Sequence, residues 1–352
     1  MQVAPVAPPI IAASPAPPPL SAREIALVVF FLVAFTWVCQ AGYASGPSAD
    51  LRAWWMASES LAAGQPLLIY PAETEVFTMR PDAEWHRRML ARSEETALYP
   101  YLYPPLWVAL GAPLTRAFSF AQAAQLASLL NPLLLGAMIL LARRAAAIPL
   151  RPAAALLLGL ALTGGTLVGW PAIYENQPQI LVAALVVLAI ERDRSGAPLQ
   201  AGAALALAAA LKLYPALFVL VWLLAGRMRQ VAAFVMVGGA LGLGSVALAG
   251  WPLHRLFLDQ LVVLSGSVLL SNINFNVDAL VSQLFLLDDM TRVTEMTTRA
   301  LGPKAPRAGL YWPRLRSGRR GPSWRCWQPS RVLRWRCAAG PPQRRPPMAG
   351  RR

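Results

Sequence analysis

Apolar runs recur along this chain from residue 25 to residue 270. A helix needs roughly 20 apolar residues to cross the hydrocarbon core of a bilayer, so repeated runs of this kind restrict the chain to a membrane bundle. The runs lie at 25–41, 104–118, 121–142, 152–170, 178–190, 199–211, 213–225, 231–250 and 256–270. The composition agrees, with 56% hydrophobic residues over 352 positions and a mean hydropathy of +0.46. The expected fold is an all-α polytopic membrane protein. Several runs are shorter than a straight span, which is tolerated where a segment lines a cavity inside the protein.

The net charge of +15 invites a nucleic-acid partner, but its placement argues against one. Residues 305–352 hold 13 arginines and no Asp, Glu or Lys, which leaves about +2 for everything before them. The expected partner of the body is the lipid bilayer, with no nucleic acid. Residues 1–22 are rich in Pro and Ala and lack the basic opening of a cleavable signal; they read as a disordered cytoplasmic arm. Residues 23–303 form the transmembrane domain, with 43–100 as a long first outer loop. Residues 304–352 keep neither helical nor strand periodicity and read as an unstructured tail. Its Arg, Pro, Gly, Trp and Cys have GC-rich codons, so the expectation there is out-of-frame translation past codon 303.

Cys39 lies in the first run, and Cys326 and Cys337 in the tail, so neither a metal site nor a disulfide framework is expected. His86 and His254 are far apart in sequence and read as loop residues. No cofactor is expected.

Basic residues favour the cytoplasmic side. Arg143, Arg144 and Arg151, then Arg192 and Arg194, then Arg227 and Arg229 form three basic connections. All three fall inside if the N-terminus is inside, 43–100 is outside, and 104–118 is re-entrant or interfacial. The prolines at 104, 105 and 113 suit that irregular segment. The segments 199–211 and 213–225 then become two short helices meeting near the outer face. Asp50, Glu175, Asn176, Gln177, Lys212, Asn272, Asn274, Asn276 and Asp278 all collect on that face.

Each of these residues admits a plain reading and a chemical one. Asp50 opens a segment whose Leu51, Trp54, Trp55, Ser58 and Leu61 follow helical spacing. It is placed to cap that helix, and the tryptophans suit a helix lying at the membrane interface. A rigidly held carboxylate is also what a general base requires. Lys212 interrupts an apolar stretch from Gly202 to Leu224, where it either snorkels to the interface or faces an anionic group. Glu175, Asn176 and Gln177 make a wet loop or a sugar-binding rim, and Asn274 and Asn276 allow the same two readings. Tyr103 belongs to a dense aromatic and proline cluster, Tyr99 to Trp107, which fixes the chain or stacks on a sugar.

The order of these elements resembles glycosyltransferase family 87, the polyprenyl-phosphate-sugar-dependent membrane enzymes of GT-C fold. Asp50-Leu51-Arg52-Ala53-Trp54-Trp55 with Ala63-Gly64-Gln65-Pro66-Leu67 is similar to the family's first-loop aspartate and following turn. Tyr103-Pro104-Pro105-Leu106, Glu175-Asn176-Gln177-Pro178-Gln179, and Leu211-Lys212-Leu213-Tyr214-Pro215 are similar to its later segments. Asn274-Phe275-Asn276 is a weaker match. Asn176 stands where the family pattern has glycine, and Asp278 near where it has serine.

The resemblance implies a GT-C-like bundle in the cell inner membrane and an inverting transfer on the extracytoplasmic face. The donor is a mannose- or pentose-like sugar on polyprenyl phosphate, and the acceptor a hydroxyl of a glycolipid or glycan. Asp50 is then the base and Lys212 the partner of the donor phosphate. Glu175, Asn176, Gln177, Tyr103, Asn274 and Asn276 bind substrate, and no metal is used. Two other classes stand beside it, a transporter or flippase-like protein and an inactive truncated product.

Overall fold

The computed structural model describes residues 20–43, 46–70, 81–92, 94, 98–166, 169–265, 267–270, 277–285, 291–296 and 307–313. Among the described residues, three helices are long and apolar enough to cross a membrane: α1 (Ala22–Tyr43), α6 (Phe120–Ala145) and α12 (Met228–Ala249). Their outward residues, such as Phe30, Val33, Met236 and Leu243, are exposed apolar side chains, as lipid-facing positions require. α6 begins at a capping box in which Ser119 and Gln122 satisfy each other's backbone N–H groups, and Arg143 and Arg144 lie at its negative end.

Between these run shorter helices: α7 (Pro152–Gly164), α8 (Trp170–Tyr174), α9 (Gln179–Arg194) and α10 (Pro198–Leu211). At 1.5 Å per residue, 14 residues of α10 reach only ~21 Å, short of a ~30 Å core. α10 packs between α9 and α12, α9 packs on α6, and α6 packs on α1 and α7. The α10–α12 approach is close because Gly202 has no side chain. A Cβ there would sit 2.5 Å from the Gln230 carbonyl oxygen and 2.7 Å from the Phe234 nitrogen.

The expected pair of short helices after residue 199 is present. A 3₁₀ turn (Tyr214–Phe218) and α11 (Val219–Leu224) follow α10 after a break at Lys212 and Leu213. The segment expected to be irregular is also short-helical, with α4 (Pro105–Gly111) and α5 (Leu114–Ala117) each too short to span.

The polar region 43–100 departs most from expectation. It carries α2 (Ala49–Ala62), a 3₁₀ turn (Pro66–Leu68) and α3 (Ala83–Ala91), and it builds its own core. Met56, Ile69, Tyr70, Trp85, Met89, Leu98 and Tyr101 are buried together, with Leu253 and Phe257 of α13 (Trp251–Ser265) closing the cluster. The tryptophans of α2 thus pack against protein. Trp55 is 3% exposed, and Trp54 donates its indole N–H to the Trp107 carbonyl at 2.8 Å. Arg52 pairs with Glu94 and lies 3.8 Å above the Phe120 ring. The two histidines are helical, not in loops: His86 is on α3 and His254 on α13, bonded to Ser245 and to the Gly250 carbonyl at 2.8 Å each.

A small antiparallel sheet, ordered β1–β3–β2, joins β1 (Ser267–Leu270), β2 (Thr291–Met296) and β3 (Arg307–Pro313). β3 falls inside the segment expected to lack structure. A last helix, α14, covers Val277–Phe285.

Candidate functional site

The bundle has two chemically distinct ends. At one, Glu24 at the start of α1 accepts from the Ala153 N–H at 2.8 Å. There Glu191 pairs with Arg144 at 3.0 Å and with Arg192 at 2.5 Å, while Asp193 takes Arg227 and Gln230. The three basic connections thus share one end. The other end collects Asp50, Tyr103, Gln177 and Lys212.

Asp50 lies at the second residue of α2, not at its cap. Ser48 holds the cap position with a left-handed backbone, φ 45° and ψ 46°, and makes no side-chain cap bond. The Ala49 N–H is taken instead by the Glu175 carboxylate, at 2.8 Å. Asp50 is therefore released from the capping duty that its sequence position suggests. The Tyr103 hydroxyl stands 3.5 Å from its Oδ1, and the Gln177 side chain lies beside its carboxylate. Burial raises the Asp50 carboxyl above the usual carboxylate range, outweighing the opposite pull of Gln177, Lys212 and Tyr103.

Lys212 is the residue that ends α10, with an extended backbone of φ −139° and ψ 138°. A cation there meets the negative end of the helix dipole. Its Nζ lies 5.3 Å from the centre of the Tyr103 ring, within cation–π range. Burial lowers its ammonium below the usual lysine range, and Asp50 acts in the other direction. Trp107 fixes this turn by donating to the Ala210 carbonyl at 2.8 Å. Tyr103 is fixed in turn by Tyr70, whose hydroxyl donates to its carbonyl at 2.8 Å. Trp54, Trp107 and Ala210 thus link α2, α4 and α10, so the carboxylate and the cation are held by one chain of indole hydrogen bonds.

Gln179 donates to the Tyr214 hydroxyl at 2.8 Å on the exposed rim beside Lys212. Glu175 and Asn176 are buried, at 7% and 4% exposure. Asn176 donates to Ser48 at 2.9 Å and Ser128 at 3.0 Å, and accepts from Asn131 at 2.8 Å. Its φ of 47° explains the departure from the glycine of the family pattern. Left-handed backbone favours glycine, and Asn is among the side chains that tolerate it best. Asn274 and Asn276 lie outside the described residues.

Sequence reading overlooked Ser128 and Asn131. The signal was available: two polar residues at i and i+3 share one face of an otherwise apolar span. Among the described residues no group of three His, Cys, Asp or Glu side chains gathers to hold a metal.

Fold and site together define a helical, polytopic membrane protein with an acid–base–amide cluster at one end of the bundle. The family model for glycosyltransferase family 87 matches residues 101–327, and the chain belongs to that family. It is accordingly a membrane glycosyltransferase. The match takes in Tyr103, Gln177 and Lys212; Asp50 lies before it. No curated protein and no solved structure matches the chain.

Proposed function

We propose that this glycosyltransferase moves a mannose- or pentose-like sugar from a polyprenyl-phosphate donor to a hydroxyl of a glycolipid or glycan acceptor. The site end of the bundle faces the extracytoplasmic side of the cell inner membrane, and the basic end faces the cytoplasm, in keeping with the bias of Arg towards that side. The observation that carries the reading is the convergence of Asp50 from α2 and Lys212 from the end of α10 on the same tyrosine, Tyr103.

Asp50 acts as general base. As the acceptor oxygen bonds to the anomeric carbon, its proton passes to the Asp50 carboxylate, and the bond from that carbon to the phosphate oxygen breaks with inversion. Lys212 offsets the charge that gathers on the departing polyprenyl phosphate. Gln177 and Tyr103 hold the carboxylate in place for the attack. A raised carboxyl suits the role, because a stronger base takes the proton more readily. Asp50→Asn tests this directly. Loss of sugar transfer in a variant that still folds supports the reading; transfer at the wild-type rate removes Asp50 from the chemistry.

A further inference from the structure

We propose that Glu175 and Asn176 are positioning residues that hold the first turn of α2, and with it Asp50, rather than ligands of the sugar. The inference rests on the reading of Asp50 as base. Helix starts leave N–H groups without partners, and the residue just before the helix normally satisfies one of them. Ser48 does not do so here; its hydroxyl is turned to Asn176. A carboxylate 126 residues away supplies the missing acceptor, at 2.8 Å from the Ala49 nitrogen, and its charge suits the positive end of the helix. The bond is made to the residue adjacent to Asp50, so it fixes the start of the turn from which the base projects.

Asn176 completes the clamp. Its side chain uses three of its four hydrogen-bonding positions on Ser48, Ser128 and Asn131, which leaves little capacity for a substrate. These contacts join the start of α2, the turn between α8 and α9, and the body of α6. Gln177, beside Asp50, follows directly in the chain. The start of the Asp50 helix and the backbone that carries Gln177 are therefore set by a single buried knot. A glycine at 176 would make the same turn without the knot, so the rigidity comes from this chain's own asparagine.

The test uses the full chain purified in detergent, with polyprenyl-phospho-mannose as the donor probe. It reads amide hydrogen exchange over residues 49–53 together with transfer kinetics. Glu175→Ala is expected to speed exchange at least ~10-fold and to lower kcat ~10–100-fold, with KM within about twofold, as displacement of a reacting group does. Glu175→Gln keeps an acceptor oxygen for the same bond and is expected to stay within about threefold of wild type in both readouts. Asn176→Gly should fall between them.

Two results overturn the inference. One is Glu175→Gln as impaired as Glu175→Ala. The other is Glu175→Ala raising KM for the donor with exchange and kcat unchanged, which makes Glu175 a substrate ligand. An Asp50→Asn arm separates the two ideas. If it retains transfer, the base reading fails, while the exchange pattern still decides whether Glu175 holds the turn.

Discussion

At the basic end of the bundle, Glu191 and Asp193 each meet an arginine, whereas at the opposite end Asp50 and Lys212 meet through a tyrosine. The side chains beside the Asp50 carboxylate are the neutral Tyr103, whose hydroxyl donates to it, and Gln177. The difference is one of use. A carboxylate matched to guanidinium forks keeps a fixed charge and ties helices together. A carboxylate held by neutral groups, with a cation nearby, stays free to exchange a proton. Both ends bury charge, but only one leaves its reactivity available.

Mutations at the two ends should therefore fail in different ways. The largest effect is expected for Asp50→Asn, with transfer falling ~10²–10⁴-fold, the usual contribution of a general base. Its unfolding temperature in detergent at neutral pH should equal or exceed that of wild type, since a desolvated charge is gone. Thermal scans beside transfer assays check this, and a variant that unfolds early would place Asp50 with the structural charges.

Lys212→Ala should lower transfer by about 10²-fold through loss of charge stabilisation at the departing phosphate, with Lys212→Arg partly restoring it. Equal rates in all three proteins would break the contrast between the ends.

The pH dependence sharpens the comparison further. In the proposed role Asp50 accepts a proton only when ionised, so transfer should rise with pH through its raised carboxyl value and level off above it. Lys212 lowers that value, so its removal should shift the acid limb of the profile to higher pH. For stability the sign is opposite. A carboxyl raised by folding favours the native state below its unfolded value and loses that contribution as pH rises through the folded one. Asp50→Asn should flatten this slope.

The smallest effect on chemistry is expected at the basic end. Glu191 is 2% exposed and serves Arg144, Arg192 and Ser195. Glu191→Ala should cost about 1 kcal/mol of stability by removing a buried acceptor whose partners Arg144 and Ser195 can turn to water, while transfer per folded molecule stays unchanged. A fall in that specific rate would show that the basic end reaches the site.

Much of the architecture was legible because bilayer burial writes itself into composition. The spans, the break at Lys212 and the non-spanning segment after Pro104 could be read from run length and proline placement. The grouping of Arg144, Arg192 and Arg227 at one end followed from charge placement alone. The core of the 43–100 region was not legible. Its apolar residues are spaced irregularly among charges, and Trp85 and Ile69 become neighbours only through tertiary folding. The cap of α2 was misread for the same reason. Local pattern points to Asp50, but the acceptor comes from residue 175.

The sequence by itself determined that this is a helical membrane protein, and its ordered motifs placed it near the family that it proves to match. Periodicity and hydropathy are local properties, so they survive in one dimension. Only the tertiary structure decided which carboxylate caps and which is left available. That choice depends on a hydrogen bond across 126 residues, and on burial that no window of sequence contains.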